Sequence, residues 1–123
     1  AVVFFRKELA DNFLYLRKQA SQLYSKNRFI AAQFITFLSS GLNIKLASRS
    51  NEMAQYLYSQ LKSIPAVIIA RPVQTNAVFA LIPREISDKL REKESGEVRW
   101  MCSFNTKKED IDLFIRDLKE ITK

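Results

Sequence analysis

Three short apolar runs late in the chain restrict the fold most. They are AVIIA (66–70), NAVFALIP (76–83) and GEVRWMCSF (96–104), separated by proline, glycine and polar residues. Each has the length and the boundaries of a strand rather than of a helix. In the third run Val98, Trp100 and Cys102 alternate with Arg99, Met101 and Ser103. One face of that strand is therefore apolar, and the other carries an arginine between hydrophobic neighbours. A guanidinium is permanently charged and costly to bury unpaired. Arg99 has two readings: an edge residue reaching solvent or a nearby acid, or a receptor for an anion.

Helical patterns surround these runs. Asp11 or Asn12 can cap a helix from Phe13, with Phe13, Leu14, Leu16, Ala20, Leu23 and Tyr24 toward one side. RFIAAQFITFL (28–38) is apolar on nearly every face, as buried or interface helices are, and Gly41 is placed to end it. A further helix is expected from Ser48 or Ser50 to just before Pro65, with Met53, Leu57, Tyr58 and Leu61 inward. Pro83 suits the first turn of a helix over 84–93, and Ser95-Gly96 a turn. Thr106 and Glu109 have the spacing of a capping box for the last helix. Ile111, Phe114, Ile115, Leu118 and Ile121 form its stripe. Val2 to Phe5 read as a short buried strand. The expected class is α+β, a small antiparallel sheet packed against helices.

At 123 residues and 47% hydrophobic content, the chain is sized for one domain with a core. No apolar run approaches the roughly 20 residues of a membrane span, so no membrane partner is expected. No leader pattern is visible, and the single Cys102 has no disulfide partner in the chain; both fit a cytoplasmic location. With no histidine, the commonest metal ligand and neutral-pH base are missing, which argues against a zinc site or a His-activated nucleophile. No metal is expected.

The net charge of +7 is uneven. Residues 1–28 hold six Lys or Arg against two acids, whereas 84–123 hold ten of each. A basic N-terminal part suits an anionic partner. Arg17, Lys18, Lys26 and Arg28 are either a solvated helix face or a phosphate site. Arg17 and Arg28 share a face if one helix runs through both. No Gly-rich phosphate loop accompanies them. Tyr15, Tyr24 and Phe29 lie among these bases, but their pattern is that of core residues, and no nucleic-acid motif is present.

Three segments, YLRKQASQLYSKNRFIAAQF, PVQTNAVFALIP and GEVRWMCSFNTKKEDID, together resemble the C-terminal portion of the threonine aldolase / β-eliminating lyase family, fold-type I enzymes dependent on pyridoxal phosphate. The resemblance covers nearly the whole chain. It implies that the chain is one small C-terminal domain, 1–123, of a longer homo-oligomeric lyase cleaving β-hydroxy amino acids, with 1–5 a strand of the large cofactor-binding domain. Arg99 would bind the substrate's α-carboxylate. Lys18 and Arg28 would lie near the cofactor phosphate, with Lys26 as a substitute. The Schiff-base lysine would lie upstream of AVVFF, so no catalytic residue is expected here and the chain alone should be inactive. The family's aromatic-rich strand before GEVRW is missing, since Lys93 leads directly into Glu94-Ser95-Gly96. The alternative is a basic α+β module that binds nucleic acid or protein without catalysis.

Overall fold

The computed structural model describes residues 2–90 and 96–122. The chain forms two compact units, Ala1–Ser40 and Gly41–Lys123.

In the first unit a short 3-10 turn, Lys7–Ala10, precedes helix α1 (Phe13–Gln19) and helix α2 (Asn27–Ser39). Asn12 starts α1 from a left-handed conformation (φ 60°), without a side-chain cap bond. Ser21 is also left-handed (φ 55°), so the helix breaks between Arg17 and Arg28 rather than carrying both on one face. Residues 2–5 form no strand, and Phe5 is 95% exposed. Lone extended backbone needs a partner for its N–H and C=O groups. No strand in the described residues supplies one there; the sheet lies wholly in the other unit. Phe4 instead meets Phe13 edge-to-face at 4.9 Å. No described residue of this unit is buried, so the apolar sides of α1 and α2 find no core within it.

Gly41 (φ 70°) follows the last turn of α2 and starts helix α3, Leu42–Leu61. The left-handed region is open to glycine at little cost, and one residue serves as both stop and start. This helix begins well before the expected Ser48 or Ser50. Both serines lie inside it, and the Ser50 hydroxyl donates to the Leu46 carbonyl one turn back, at 2.9 Å. That back-bond is the alternative a serine has to capping.

Strands β1 (Ile68–Ile69), β2 (Ala77–Leu81) and β3 (Glu97–Met101) form an antiparallel sheet in that order. Ala80 pairs with both Ile69 and Val98, and Phe79 faces Arg99. Helix α4 (Arg84–Lys89) follows Pro83, which sits one position before its first turn. The rest of the expected 84–93 helix and Ser95 fall in 91–95, outside the described residues, as does the segment where the missing aromatic strand would be. Helix α5, Lys108–Ile121, closes the chain. Its box is shifted by one residue from the expected pair: Asp110 accepts the Lys107 N–H at 3.0 Å, while Thr106 accepts the Ser103 N–H at 2.9 Å.

The sheet, with helices packed on it, makes an α+β unit. Met53, Leu57 and Leu61 of α3 meet Val78 and Ala80 of β2, Val98 of β3, and Ile111, Ile115 and Leu118 of α5 in one buried cluster. These are the stripes the sequence predicts; Tyr58, Phe114 and Ile121 are partly buried beside them. Leu118 is fully buried. Leu118→Ala removes about three carbons and leaves a void, so it should destabilise the full chain by about 2–5 kcal/mol in urea unfolding. A change under about 1 kcal/mol would mean this core is not formed as described.

Candidate functional site

The β2–β3 register puts Val98, Trp100 and Cys102 toward the helices and Glu97, Arg99 and Met101 on the open face. Cys102 is 3% exposed, and burial pushes its thiol pKa up, as for an inert core thiol. Trp100 packs edge-to-face on Phe114 of α5 at 5.3 Å. Arg99 is exposed. It makes no ion pair or hydrogen bond with another described residue.

A neighbouring arginine helps leave Arg99 unpaired among the described residues. Arg71, in the loop after β1, stacks over Phe79 at 4.5 Å and grips both Glu97 oxygens at 2.5 and 2.7 Å. Phe79 stands directly opposite Arg99 in the ladder. The acid two residues before Arg99 is thus taken by Arg71. Nothing in the sequence marked this pair, whose members are 26 positions apart and meet only through the sheet register.

Arg99 also lines a depression of about 280 Å³, with Trp100, Thr106, Asp110 and Phe114 around it. The Asp110 carboxylate is engaged as the helix cap and lies beyond ion-pair distance of Arg99. The depression joins one free guanidinium to an apolar wall. A small anion with an apolar or neutral body suits it.

Lys18 and Arg28 lie in the first unit, in the last turn of α1 and the first turn of α2. Both are exposed, and neither forms an ion pair with a described residue. The Arg28 guanidinium sits 5.0 Å from the Phe29 ring, beside a depression of about 440 Å³ that also touches Asn27, Ile30 and Phe34. The Nε of Arg17 is buried with no hydrogen-bond partner. Lys18 and Arg28 are cations with no acid paired to them among the described residues, and Arg17 carries an orphaned donor. Each is chemically able to bond a phosphate. But no contact joins the three among the described residues, and the depression beside Arg28 is lined by neither Lys18 nor Arg17. Lys26 is the residue before α2. Among the described residues no three His, Cys, Asp or Glu side chains are grouped to hold a metal. Tyr15, Tyr24 and Phe29, expected to be core-like, are 72%, 57% and 56% exposed.

A further polar contact that the sequence does not reveal joins α3 to α5. The Tyr56 hydroxyl donates to Asp112 at 2.7 Å, and this bond, ahead of any burial, raises the tyrosine pKa above 10.0. Helix–helix pairs so far apart in sequence have no local signature.

The second unit is thus an α+β domain that presents, from a strand beside an apolar depression, an arginine unpaired among the described residues. Its relatives are enzymes that act on an amino acid, by their names. The chain is 34% identical over 129 residues to the low specificity L-threonine aldolase of Pseudomonas sp. (strain NCIMB 10558). It is 32% identical over 127 residues to the protein of the same name from Pseudomonas aeruginosa. The matches cover 98% and 97% of this chain and 37% of each relative. No protein-family profile matches it. Over nearly its whole length the chain is similar to part of these threonine aldolases, the family its sequence resembles, and it spans about 37% of their length.

Asp112→Asn should lower the Tyr56 pKa in a spectrophotometric titration, because the carboxylate acceptor is lost. In the unchanged chain the contact's contribution to stability is complete below about pH 10, where the unfolded phenol is still protonated, and is lost as the pH rises through the raised folded value. An unmoved tyrosine titration in Asp112→Asn would contradict the contact.

Proposed function

We propose that this chain is the small domain of a pyridoxal-phosphate-dependent lyase that cleaves β-hydroxy amino acids, and that Arg99 receives the substrate's α-carboxylate. The observation that carries the reading is the free guanidinium on a rigid strand, in a chain 34% identical to a threonine aldolase. Arg's planar fork bonds a carboxylate through two parallel N–H donors, and a strand base holds its aim. Pairing Arg71 with Glu97 keeps the fork from being neutralised internally.

Pyridoxal phosphate, when bound, supplies an electron sink for the carbanion left at Cα when the side-chain aldehyde departs. Arg99 orients the substrate, so that the bond to be broken stands perpendicular to the ring plane. Lys18 and Arg28 provide phosphate contacts, with Lys26 as the neighbouring substitute. The aldehyde-releasing chemistry and the Schiff-base lysine belong to a large domain outside this chain, and the chain by itself is inactive. Residues 1–5 belong with that large domain. The exposed side chains of 2–5 and of α2 support a covering partner, either that domain or a further subunit of a homo-oligomer. Closure of the small domain over the substrate excludes water. The enzyme works in the cytoplasm.

In the full-length enzyme, Arg99→Ala should raise KM for L-threonine about 10–100-fold, from loss of a charge-assisted bond of about 1.5–3 kcal/mol, and leave pyridoxal phosphate retention near normal. Arg99→Lys should recover part of the loss, because a single ammonium replaces a fork. Unchanged kinetics in Arg99→Ala would remove the role. Lys18→Ala with Arg28→Ala should weaken cofactor retention instead, measured as the cofactor lost on gel filtration.

A second reading draws on the exposed Tyr15, Tyr24 and Phe29 among Arg17, Lys18, Lys26 and Arg28, a basic and aromatic mixture that single-stranded nucleic acid also uses. It predicts retention on a polyanion column that falls steeply with salt. A shallow salt response supports the enzyme reading.

A further inference from the structure

The sheet ends on β3, and its outer edge has no strand beside it among the described residues. Which backbone groups lie open there follows from two bonds. The Ile82 N–H donates to the Gly96 carbonyl at 3.1 Å, and the Cys102 N–H to the Asn76 carbonyl at 2.8 Å. Hydrogen-bonded and non-bonded pairs alternate along an antiparallel ladder. Gly96, Val98, Trp100 and Cys102 therefore bond inward to β2. The N–H and C=O groups of Glu97, Arg99 and Met101 point to the outer edge.

Two further features accompany this edge. The depression of about 280 Å³ runs along it, with Trp100, Ile111 and Phe114 as its apolar lining. On the open face Arg99 has no acid partner among the described residues, and Glu97 is held by Arg71. Edge strands are templates for a further strand unless something blocks them. β3 carries no proline, and its outer face bears the apolar Met101, 57% exposed.

We propose that the outer edge of β3 docks an extended peptide segment of alternating apolar and acidic residues. Its main chain completes the ladder through Glu97, Arg99 and Met101. Its apolar side chains, two residues apart, enter the depression against Trp100 and Phe114, while an acidic one on the opposite side meets Arg99. A second copy of this chain fits less well, because the acid it brings, Glu97, is already paired with Arg71. The inference rests on the open main-chain groups of the sheet edge. It shares Arg99 with the lyase reading, so a peptide acid and a substrate carboxylate exclude one another there. The N-methylated peptide tests the edge apart from Arg99.

The probe is a fluorescein-labelled peptide of about nine residues alternating valine and aspartate, titrated with the full chain and read by anisotropy. Saturable binding is expected. Methylating the alternate amide nitrogens that face β3 should weaken it at least about tenfold, as should replacing the aspartates by lysine. Met101→Pro removes an outward N–H at an edge position where proline is tolerated, and should weaken binding to the same extent with an unchanged thermal melt. If that variant unfolds, the methylated peptide decides the matter on the unaltered chain. Equal affinity for the methylated peptide, or no saturable binding, overturns the proposal. So does a chain dimer, seen by sedimentation, that Met101→Pro dissociates.

Discussion

The β2–β3 ladder is the interaction on which the rest depends. Val78 and Ala80 are fully buried beneath the helices, and every functional feature of the second unit is set by which residue of β3 each β2 residue faces. A one-residue slip would turn Arg99 toward Leu61 and Leu118 and bring Trp100 and Val98 out. The cost of an unpaired charge in that cluster fixes the register. The same alternation that fills the core therefore presents the guanidinium on the open face.

That coupling made part of the site legible from sequence. The alternation of Val98, Arg99, Trp100 and Met101 has one physical solution when a core lies on one side, and the α5 stripe is equally unambiguous at its three-to-four spacing. The start of α3 was not legible, because Ser48 and Ser50 have two uses for their hydroxyls and local sequence favours the cap. Residues 2–5 form no strand within this chain, because apolar content says that a segment wants cover, not that a neighbouring strand is at hand. The Arg71–Glu97 pair and the Tyr56–Asp112 bond are products of tertiary register and helix packing. No window of sequence contains them.

The two units differ in how far they satisfy themselves. Gly41–Lys123 closes around a continuous cluster, while Ala1–Ser40 buries none of its described residues despite Phe29, Ile30, Phe34 and Phe37 on α2. A helix of this kind gains its stability from packing rather than from propensity. The matched relatives are far longer than this chain, and the exposed apolar area of the first unit supports the proposal that further chain covers it.

The grip of Arg71 on Glu97 has a consequence for how the sheet evolves. Both partners are substantially solvated, so the pair adds little to folding free energy. Its effect is bookkeeping of charge: it cancels the acid two residues before Arg99 and leaves that cation unpaired among the described residues. Exchange of Arg71 for a neutral residue would release Glu97 as a rival for that cation while hardly touching the melting point. Under the proposed role of Arg99, loss of ligand affinity in such a lineage would arise from a position that touches no ligand.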